Sequence, residues 1–315
     1  MLNENLQTRC PLRADADGHF RLLLLSDIQE PMNYDPRSLR AIDAMIADAE
    51  PNLVLLLGDN CDGTSLQTLS ELQEYLNLFT APMETRGIPW AHVFGNHDHD
   101  MPCPDAAIQA LYESFPHCVS KHTEAPIAGT TNFMLPIWNA EGTKLLTALW
   151  CMDSLNRAAE RPAGSPEIAG PWDFIHFNQL QWYADSVREL EQYAGRPVPG
   201  LFFQHIAPWE FQSLFDAPEE TGASGHLGET LNLACLNSGL FSLLRQTGDI
   251  RGIFCGHCHE NDGEGVYAGI RLCFAGCAGF SPYGLDPYRG GRVIELDTAS
   301  SELFRTYRLC SGLYL

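Results

Sequence analysis

Five short polar turns in this chain carry most of the residues that could bind metal ions. Each turn follows an apolar run, and each contains an aspartate, an asparagine or a histidine. In chain order they are Ser26–Gln29, Gly58–Asn60, Gly95–Asp98, the single residue His205, and Gly256–His259. Two adjacent metal ions need oxygen and nitrogen donors in about this number, and such a pair suits hydrolysis of a phosphate ester. The turns therefore imply a dinuclear metal hydrolase.

The charge of two neighbouring cations decides which residue can lie between them. Two divalent ions about 4 Å apart repel by roughly 15–20 kcal/mol at an effective dielectric constant near 20. A bridging anion is therefore required, and Asp59 is the natural one. Asp27 suits one metal, whereas Asn96, His205 and His257 suit the other. Two carboxylates leave such a site positive, so it would attract a phosphate.

Each of these turns has a simpler explanation when it is taken alone. Asp27 could cap a helix, and Gly95–Asp98 could be a tight turn, because Gly, Asn and Asp all favour turns. His205 follows two phenylalanines and could be a buried structural histidine. The metal-site hypothesis rests on the order and placement of all five turns.

Apolar runs and helical spacing place the turns at the ends of strands. The predicted strands are Phe20–Leu25, Leu53–Leu57, Trp90–Phe94, Leu145–Met152, Leu201–Phe203, Gly252–Phe254, Arg271–Ala275 and Arg292–Leu296. The predicted helices are Leu39–Ile46 with a stop at Pro51, Leu66–Phe79, Leu180–Leu190 and Leu240–Leu244. Alternating strands and helices in the first hundred residues predict βαβ units and a mainly parallel sheet. Ligands bind beyond the carboxyl ends of such strands.

Composition indicates one domain spanning 1–315, with a core of about 20–297 after a polar segment, 1–19. The 315 residues are 45% hydrophobic, which suffices for a sizeable core. The net charge of −21 disfavours nucleic acid as a substrate and favours a small phosphorylated molecule. The oligomeric state is not indicated.

Cysteine usage and the polar N-terminal segment bear on the compartment. No apolar run reaches the ~18 residues of a membrane span, and segment 1–19 has no secretory pattern. The eleven cysteines are an odd number, which is typical of reduced thiols. We therefore expect a cytoplasmic protein without a membrane partner.

The ordered motifs resemble those of the calcineurin-like metallophosphoesterase superfamily, in its branch similar to the purple acid phosphatases. The resemblance runs from about Arg21 to Leu296 and extends to Gly129–Phe133, Asn178–Trp182 and Ala275–Phe280. It implies an α/β fold, a four-layer α-β-β-α sandwich of two mixed sheets flanked by helices. It also implies a metal-dependent phosphatase or phosphodiesterase in which a metal-bridging hydroxide attacks phosphorus.

The resemblance further implies a role for each site residue. The metal ligands are Asp27 and His259 for the first ion, Asp59 as the bridge, and Asn96, His205 and His257 for the second ion. His97 would contact the phosphate and protonate the leaving group as general acid. Asp62 would orient His97.

Gln29 departs from the family pattern, which usually has histidine at the third position of the first motif. An amide oxygen can bind metal, but it binds borderline ions less well than imidazole does. If Gln29 is a ligand, the first site is rich in oxygen and favours manganese, magnesium or iron over zinc, with manganese or iron preferred. Otherwise the first ion binds weakly, and activity needs added metal.

Two other functions fit parts of the sequence. The chain could be a catalytically weakened protein that binds or senses a phosphorylated ligand, with Gln29 as a sign of decay. The run Cys255–His259 also fits a c-type haem attachment motif, and its core resembles that of disulfide oxidoreductases. We instead expect Cys255 and Cys258 to be small buried residues beside the metals. The long polar segment 206–230 is predicted to rim the active site.

Overall fold

Two mixed β-sheets lie face to face in the computed structural model, which describes residues 6, 8–123 and 126–315. The strands are β1 (His19–Leu25), β2 (Leu53–Leu57), β3 (Trp90–Val93), β4 (Phe133–Trp138), β5 (Leu145–Cys151), β6 (Ala169–Trp172), β7 (Gly200–Phe203), β8 (Leu233–Ala234), β9 (Ile250–Cys255), β10 (Glu264–Tyr267), β11 (Ile270–Phe274), β12 (Gly290–Asp297) and β13 (Phe304–Cys310). The helices are α1 (Pro36–Ala49), α2 (Leu69–Phe79), α3 (Ala81–Glu84), α4 (Asp105–Glu113), α5 (Phe177–Ala194), α6 (Ser213–Asp216), α7 (Pro218–Thr221) and α8 (Leu240–Thr247). Residues 1–5 and 7 of the predicted polar segment 1–19 lie outside the described residues.

Parallel strands at the centre of each sheet bring the polar turns together. The first sheet has the order β13-β12-β1-β2-β3, and β1, β2 and β3 run parallel. The second sheet has the order β10-β11-β9-β7-β5-β4, and β5, β7, β9 and β11 run parallel. The turns after β1, β2, β3, β7 and β9 follow the carboxyl ends of these strands.

Three apolar clusters hold the layers together. The central one lies between the sheets and contains fully buried side chains such as Leu24 and Phe203. A second joins α1, α2 and α4 to the outer face of the first sheet, with Met45 and Tyr112 buried in it. A third joins α5 and α8 to the second sheet around Tyr183. This arrangement confirms the predicted sandwich of two mixed sheets flanked by helices.

Local signals explain where the first helices begin. The side chain of Asp35 caps α1 by accepting from the N–H of Arg37, and a proline occupies the first helical turn. Thr68 and Glu71 form a capping box at the start of α2. The helix predicted over Leu66–Phe79 therefore starts later, at Leu69.

The sequence did not predict strands β4, β6, β8, β10 and β13 or helices α3, α4, α6 and α7. Strands β4 and β13 are sheet edges. Pro136 interrupts the apolar run of β4, and a proline is tolerated only where a strand lacks one neighbour. Strand β13 has several exposed or half-buried polar side chains, so its apolar signal is weak. Within the described residues, no helix combines the length and the apolar character needed to cross a membrane.

Candidate metal centre

Two overlapping groups of buried ligand atoms form where the five turns meet. One contains Asp59, His205 and His257, and the other contains Asp27, Asp59 and His259. Within each group the ligand atoms lie within 4.8 Å of one another. Asp59 belongs to both groups. The arrangement therefore offers two adjacent candidate cation sites that share one carboxylate, and the bridging role of Asp59 stays a prediction.

The distances between ligand atoms suit shared cations. His205 Nε2 lies 3.2 Å from Asp59 Oδ2 and 3.8 Å from Asp27 Oδ1. His259 Nε2 lies 3.2 Å from Asp27 Oδ1. Ligands about 2.1 Å from a common ion are separated by roughly 3–4 Å. These atoms could therefore bind cations with little movement.

Backbone carbonyls fix the orientation of two histidines. His205 Nδ1 donates to Leu57 O at 2.9 Å, and His259 Nδ1 donates to Tyr283 O at 2.8 Å. A histidine that donates from Nδ1 keeps the Nε2 lone pair for a metal ion. Both rings therefore present Nε2 to the carboxylates.

Three buried atoms at the site have no hydrogen-bond partner among the residues described. They are Gln29 Oε1, Asn96 Oδ1 and His205 Nε2. A buried acceptor without a partner costs about 1–3 kcal/mol. Bound cations would supply the missing partners, so the donor set fits two metal ions. The same observation favours Gln29 and Asn96 as ligands, although their coordination stays a prediction.

The backbone is strained at four of the proposed ligands. The φ angles are 52° at Asp27, 39° at Gln29, 48° at Asp59 and 70° at His257. Residues with a Cβ rarely adopt this left-handed region, and each costs of the order of 1 kcal/mol or more. Such strain clusters at sites where a side chain must point in one direction, so it supports a functional role.

Two glycines allow the turns to approach each other. A Cβ on Gly95 would collide with the amide nitrogen and the carboxylate of Asp59. A Cβ on Gly256 would collide with the side chains of Ser26 and Asp27. Both positions therefore require glycine for the metal ligands to meet.

Mutual charge effects keep the two carboxylates ionised. Burial raises the pKa of Asp59, but His205 and other histidines lower it below its usual range. Burial lowers the pKa of His205, yet Asp59 and Asp27 raise it to about 9. Burial, assisted by His205, lowers the pKa of His257 to about 3. The site thus holds two anionic carboxylates and a neutral His257, which suits cation binding.

His97 lies beside the ligands with 31% of its side chain exposed. Its backbone N–H donates to Asp59 Oδ1 at 2.8 Å, and its Nδ1 lies 2.9 Å from Asp100 Oδ2. Asp100 Oδ1 also accepts from Asn156 Nδ2 at 3.2 Å. The His97 ring is thus held at the rim, outside both groups of ligand atoms.

The expectation that Asp62 orients His97 is wrong. Asp62 Oδ1 accepts from the N–H and the hydroxyl of Thr64 at 3.1 and 2.6 Å, so Asp62 caps a local turn. Asp100 contacts the histidine instead. The turn Asp98–Asp100 is a 3₁₀ helix, which brings residues three apart close together. The spacing from His97 to Asp100 was the signal that the sequence analysis missed.

A buried histidine fixes the turn that carries Asn96 and His97. His99 Nδ1 lies 2.8 Å from Asp105 in α4, and its Nε2 lies 3.1 Å from Asp153, just after β5. Burial lowers the pKa of His99, but Asp153 and Asp105 raise it to about 11. A charged His99 therefore connects the turn to helix α4 and to the end of strand β5.

Glu30 is a second residue that the sequence analysis missed. It is fully buried and follows the first polar turn. Its Oε1 accepts from the N–H groups of Phe280 and Ser281 at 2.8 and 2.9 Å, and its Oε2 accepts from the N–H of Asp35 at 2.8 Å. The carboxylate thus ties the Asp27 turn to the glycine-rich run after β11.

The other stretches that resemble the family motifs lie behind the proposed metal ligands. Gln179 in α5 donates to Asn132 Oδ1 at 3.0 Å and to Asp153 O at 2.8 Å, which connects two of the family-like motifs.

Cys255 and Cys258 are buried, and neither is in a disulfide. Burial raises the pKa of both thiols, to about 12 for Cys258. These thiols do not have the low pKa of redox-active cysteines.

Segment 206–230 reaches the site through one carboxylate. Glu229 Oε2 accepts from the Tyr283 hydroxyl at 2.9 Å, and the Tyr283 ring stacks on His259 with 4.1 Å between ring centroids. The segment therefore supports His259, a proposed metal ligand. Its contact with substrate stays a prediction.

Comparisons with known proteins agree with this geometry. A family model described as Calcineurin-like phosphoesterase matches residues 20–261. Probable inactive purple acid phosphatase 14 of Arabidopsis thaliana is 28% identical, over 91% of this chain and 77% of that protein. Phosphatase DCR2 of Saccharomyces cerevisiae is 23% identical, over 84% of this chain and 49% of that protein. The crystal structure of a dimetal phosphatase from Danio rerio has a TM-score of 0.54 at 14% identity, covering 88% of this chain and 95% of that one.

The ion pairs of His99 predict a pH-dependent stability. Because its folded pKa is raised to about 11 from 6.5, their stabilisation is complete below about pH 6.5 and is lost as pH rises through 11. We expect His99→Gln to lower the free energy of unfolding by about 3–5 kcal/mol at pH 6, with a smaller loss at pH 10. Urea denaturation of the wild type and of the variant at pH 6 and pH 10 measures both losses in the free energy of unfolding.

A matched control is His122→Gln, since the side chain of His122 is 60% exposed and pairs with Glu113 at the surface. It should cost less than about 1 kcal/mol at either pH. A loss for His99→Gln that is the same at pH 6 and pH 10 would contradict the linkage.

Proposed function

Given that the chain belongs to the calcineurin-like phosphoesterase family, we propose that it hydrolyses a phosphate mono- or diester at the two-cation site. The observation that carries this proposal is the position of Asp59 in both groups of buried ligand atoms. A shared carboxylate lowers the repulsion between neighbouring cations, and a site that binds a single ion has no need of one. We propose a small phosphorylated molecule as substrate, because the chain carries a net charge of −21.

The ligands divide between the two proposed cations. Asp27, Gln29 and His259 would hold the first cation, Asn96, His205 and His257 the second, and Asp59 both. Two bound cations would polarise the phosphoryl oxygens and lower the pKa of water for attack on phosphorus. The oxygen-rich first site favours manganese or iron.

His97 is the proposed general acid. Asp100 occupies its Nδ1, which leaves Nε2 as the nitrogen available to substrate. A proton held on Nε2 can pass to the leaving oxygen as the phosphorus–oxygen bond breaks. The carboxylate of Asp100 orients the ring.

A second candidate function is binding of a phosphorylated ligand without turnover. Two observations favour it. Gln29 stands where the family usually has histidine, and one relative carries the name Probable inactive purple acid phosphatase 14. Against it, the buried carboxylates and histidines form both groups of ligand atoms.

Hydrolysis of phenyl phosphate and of diphenyl phosphate tests the proposed function, with Mn²⁺ supplied and a chelator as control. We expect chelator-sensitive turnover of one of them, and the ratio of the two turnover rates distinguishes phosphatase from phosphodiesterase.

Asp59→Asn should reduce the bound metal from two ions to one or fewer, because it removes the charge between them. Asp185→Asn, on the exposed face of α5, is the matched control. Two ions retained by Asp59→Asn would exclude the bridging role.

General acid catalysis predicts a dependence on the leaving group. His97→Ala should lower turnover of an alkyl phosphate by ~10²–10⁴. The loss should be smaller for p-nitrophenyl phosphate, whose leaving group needs no proton. Asp100→Asn should also lower turnover of the alkyl phosphate more than turnover of p-nitrophenyl phosphate, but both losses should be smaller. Asp62→Asn should change the turnover of either substrate by no more than about twofold. Equal losses on both substrates would remove His97 and Asp100 from proton transfer.

Gln29 separates the two candidate functions. If the chain is an enzyme, the wild type turns over substrate with Mn²⁺, and Gln29→His shifts its preference towards Zn²⁺ by ~10-fold because imidazole replaces an amide oxygen. If it only binds ligand, turnover appears in Gln29→His alone. Metal affinities by titration calorimetry, with Gln73→His on α2 as control, complete the comparison.

A further inference from the structure

Residues 156–158 form a short extended segment beside strand β6. The N–H of Asp173 donates to Asn156 O at 2.7 Å, and the N–H of Ala158 donates to Pro171 O at 2.8 Å. Arg157 is paired with Trp172 across this bridge. The backbone of the segment is therefore fixed by hydrogen bonds.

Two neighbouring side chains of this segment connect to different parts of the site. Asn156 donates to Asp100, which in turn contacts His97. The Arg157 guanidinium lies over the Trp172 ring, with 5.0 Å from Cζ to the ring centroid. Trp172 packs edge to face on His257, with 5.1 Å between centroids. The segment thus borders both the proposed acid and a proposed metal ligand.

Arg157 is available to an anion. Its side chain makes no ion pair within the ranges that the structure describes, although the chain has 40 acidic residues against 19 basic ones. Three other arginines near the glycine-rich run donate to backbone carbonyls, two of them buried and Arg308 half-buried. They are Arg289, Arg292 and Arg308. Arg157 is exposed, so its donors can still contact a ligand.

We propose that Arg157 forms a subsite for a second anionic group of the substrate. The inference rests on the proposed function and narrows its substrate class to phosphate esters that carry a further carboxylate or phosphate near the scissile group. A guanidinium stacked on an aromatic ring keeps its planar N–H donors directed outward, and they can bind carboxylate or phosphate oxygens in pairs. A local cation of this kind is needed because the net charge of the chain repels polyanions.

Binding of non-hydrolysable phosphonates to the Mn²⁺-loaded chain tests this subsite. The probes are phenylphosphonate, 3-carboxyphenylphosphonate and benzene-1,3-diphosphonate, with affinities from titration calorimetry. We expect the two probes with a second anion to bind ~10-fold more tightly, the usual worth of one charge-assisted hydrogen bond. Comparing the carboxylate with the second phosphonate identifies which anion the subsite prefers.

Variants of Arg157 assign the preference to its guanidinium. Arg157→Gln should abolish the ~10-fold preference, and Arg157→Lys should keep part of it, since lysine retains the charge without the planar donors. Arg161→Gln is the matched control, because Arg161 lies in the same loop and donates to Pro166 O at 3.0 Å. This variant should bind all three probes as the wild type does.

The outcomes separate this inference from the proposed function. A preference in the wild type that Arg157→Gln removes supports the subsite, whether or not phenyl phosphate is hydrolysed. No preference, or one that survives Arg157→Gln, overturns it even if phenyl phosphate is hydrolysed. A chain that shows the preference but no turnover would retain the subsite and favour the ligand-binding function.

Discussion

The burial of two ionised carboxylates, Asp27 and Asp59, is the constraint on which the rest of the structure depends. Each is almost fully removed from water, which would be costly without compensating charge. Protonated His205 and His259 can supply that charge, and the proposed cations would replace those protons. The carboxylates follow strands of the first sheet, whereas the histidines follow strands of the second. Electrostatic attraction at the site therefore acts across the same interface as the central apolar core.

Strong local patterns in the sequence predicted much of the fold and the residues that meet at the candidate metal centre. Continuous apolar runs gave the central strands, and the turns after those strands held Asp27, Asp59 and His205. Strand β13 was missed because only part of its surface is buried, and strand β4 because Pro136 interrupts its apolar run. The partner of His97 was assigned to Asp62 by family pattern, whereas the 3₁₀ geometry selects Asp100. Such contacts depend on the backbone path, which periodicity does not encode.

Several residues act behind the ligands, and they give the site its rigidity. Glu30 joins the first turn to the glycine-rich run, and His99 joins the third turn to helix α4 and to the end of β5. Gln179 connects α5 to the end of β5. Each is a buried polar group with several partners, so its removal would leave other polar atoms without a partner. The side of the site near residues 156–158 is held by backbone pairing and remains more open to solvent.

The left-handed backbone at Asp27, Gln29, Asp59 and His257 lowers the stability of the fold, but it places four side chains at the proposed metal site. Glycine at any of these positions would relax the strained φ angle, by of the order of 1 kcal/mol, but would remove a ligand. A relative that had lost its catalytic role would gain from accepting glycine there, because nothing would then oppose the relaxation. This chain keeps a side chain at all four positions and bears the strain. At these four positions, glycine that relaxes the backbone and a side chain at the proposed metal site are therefore mutually exclusive.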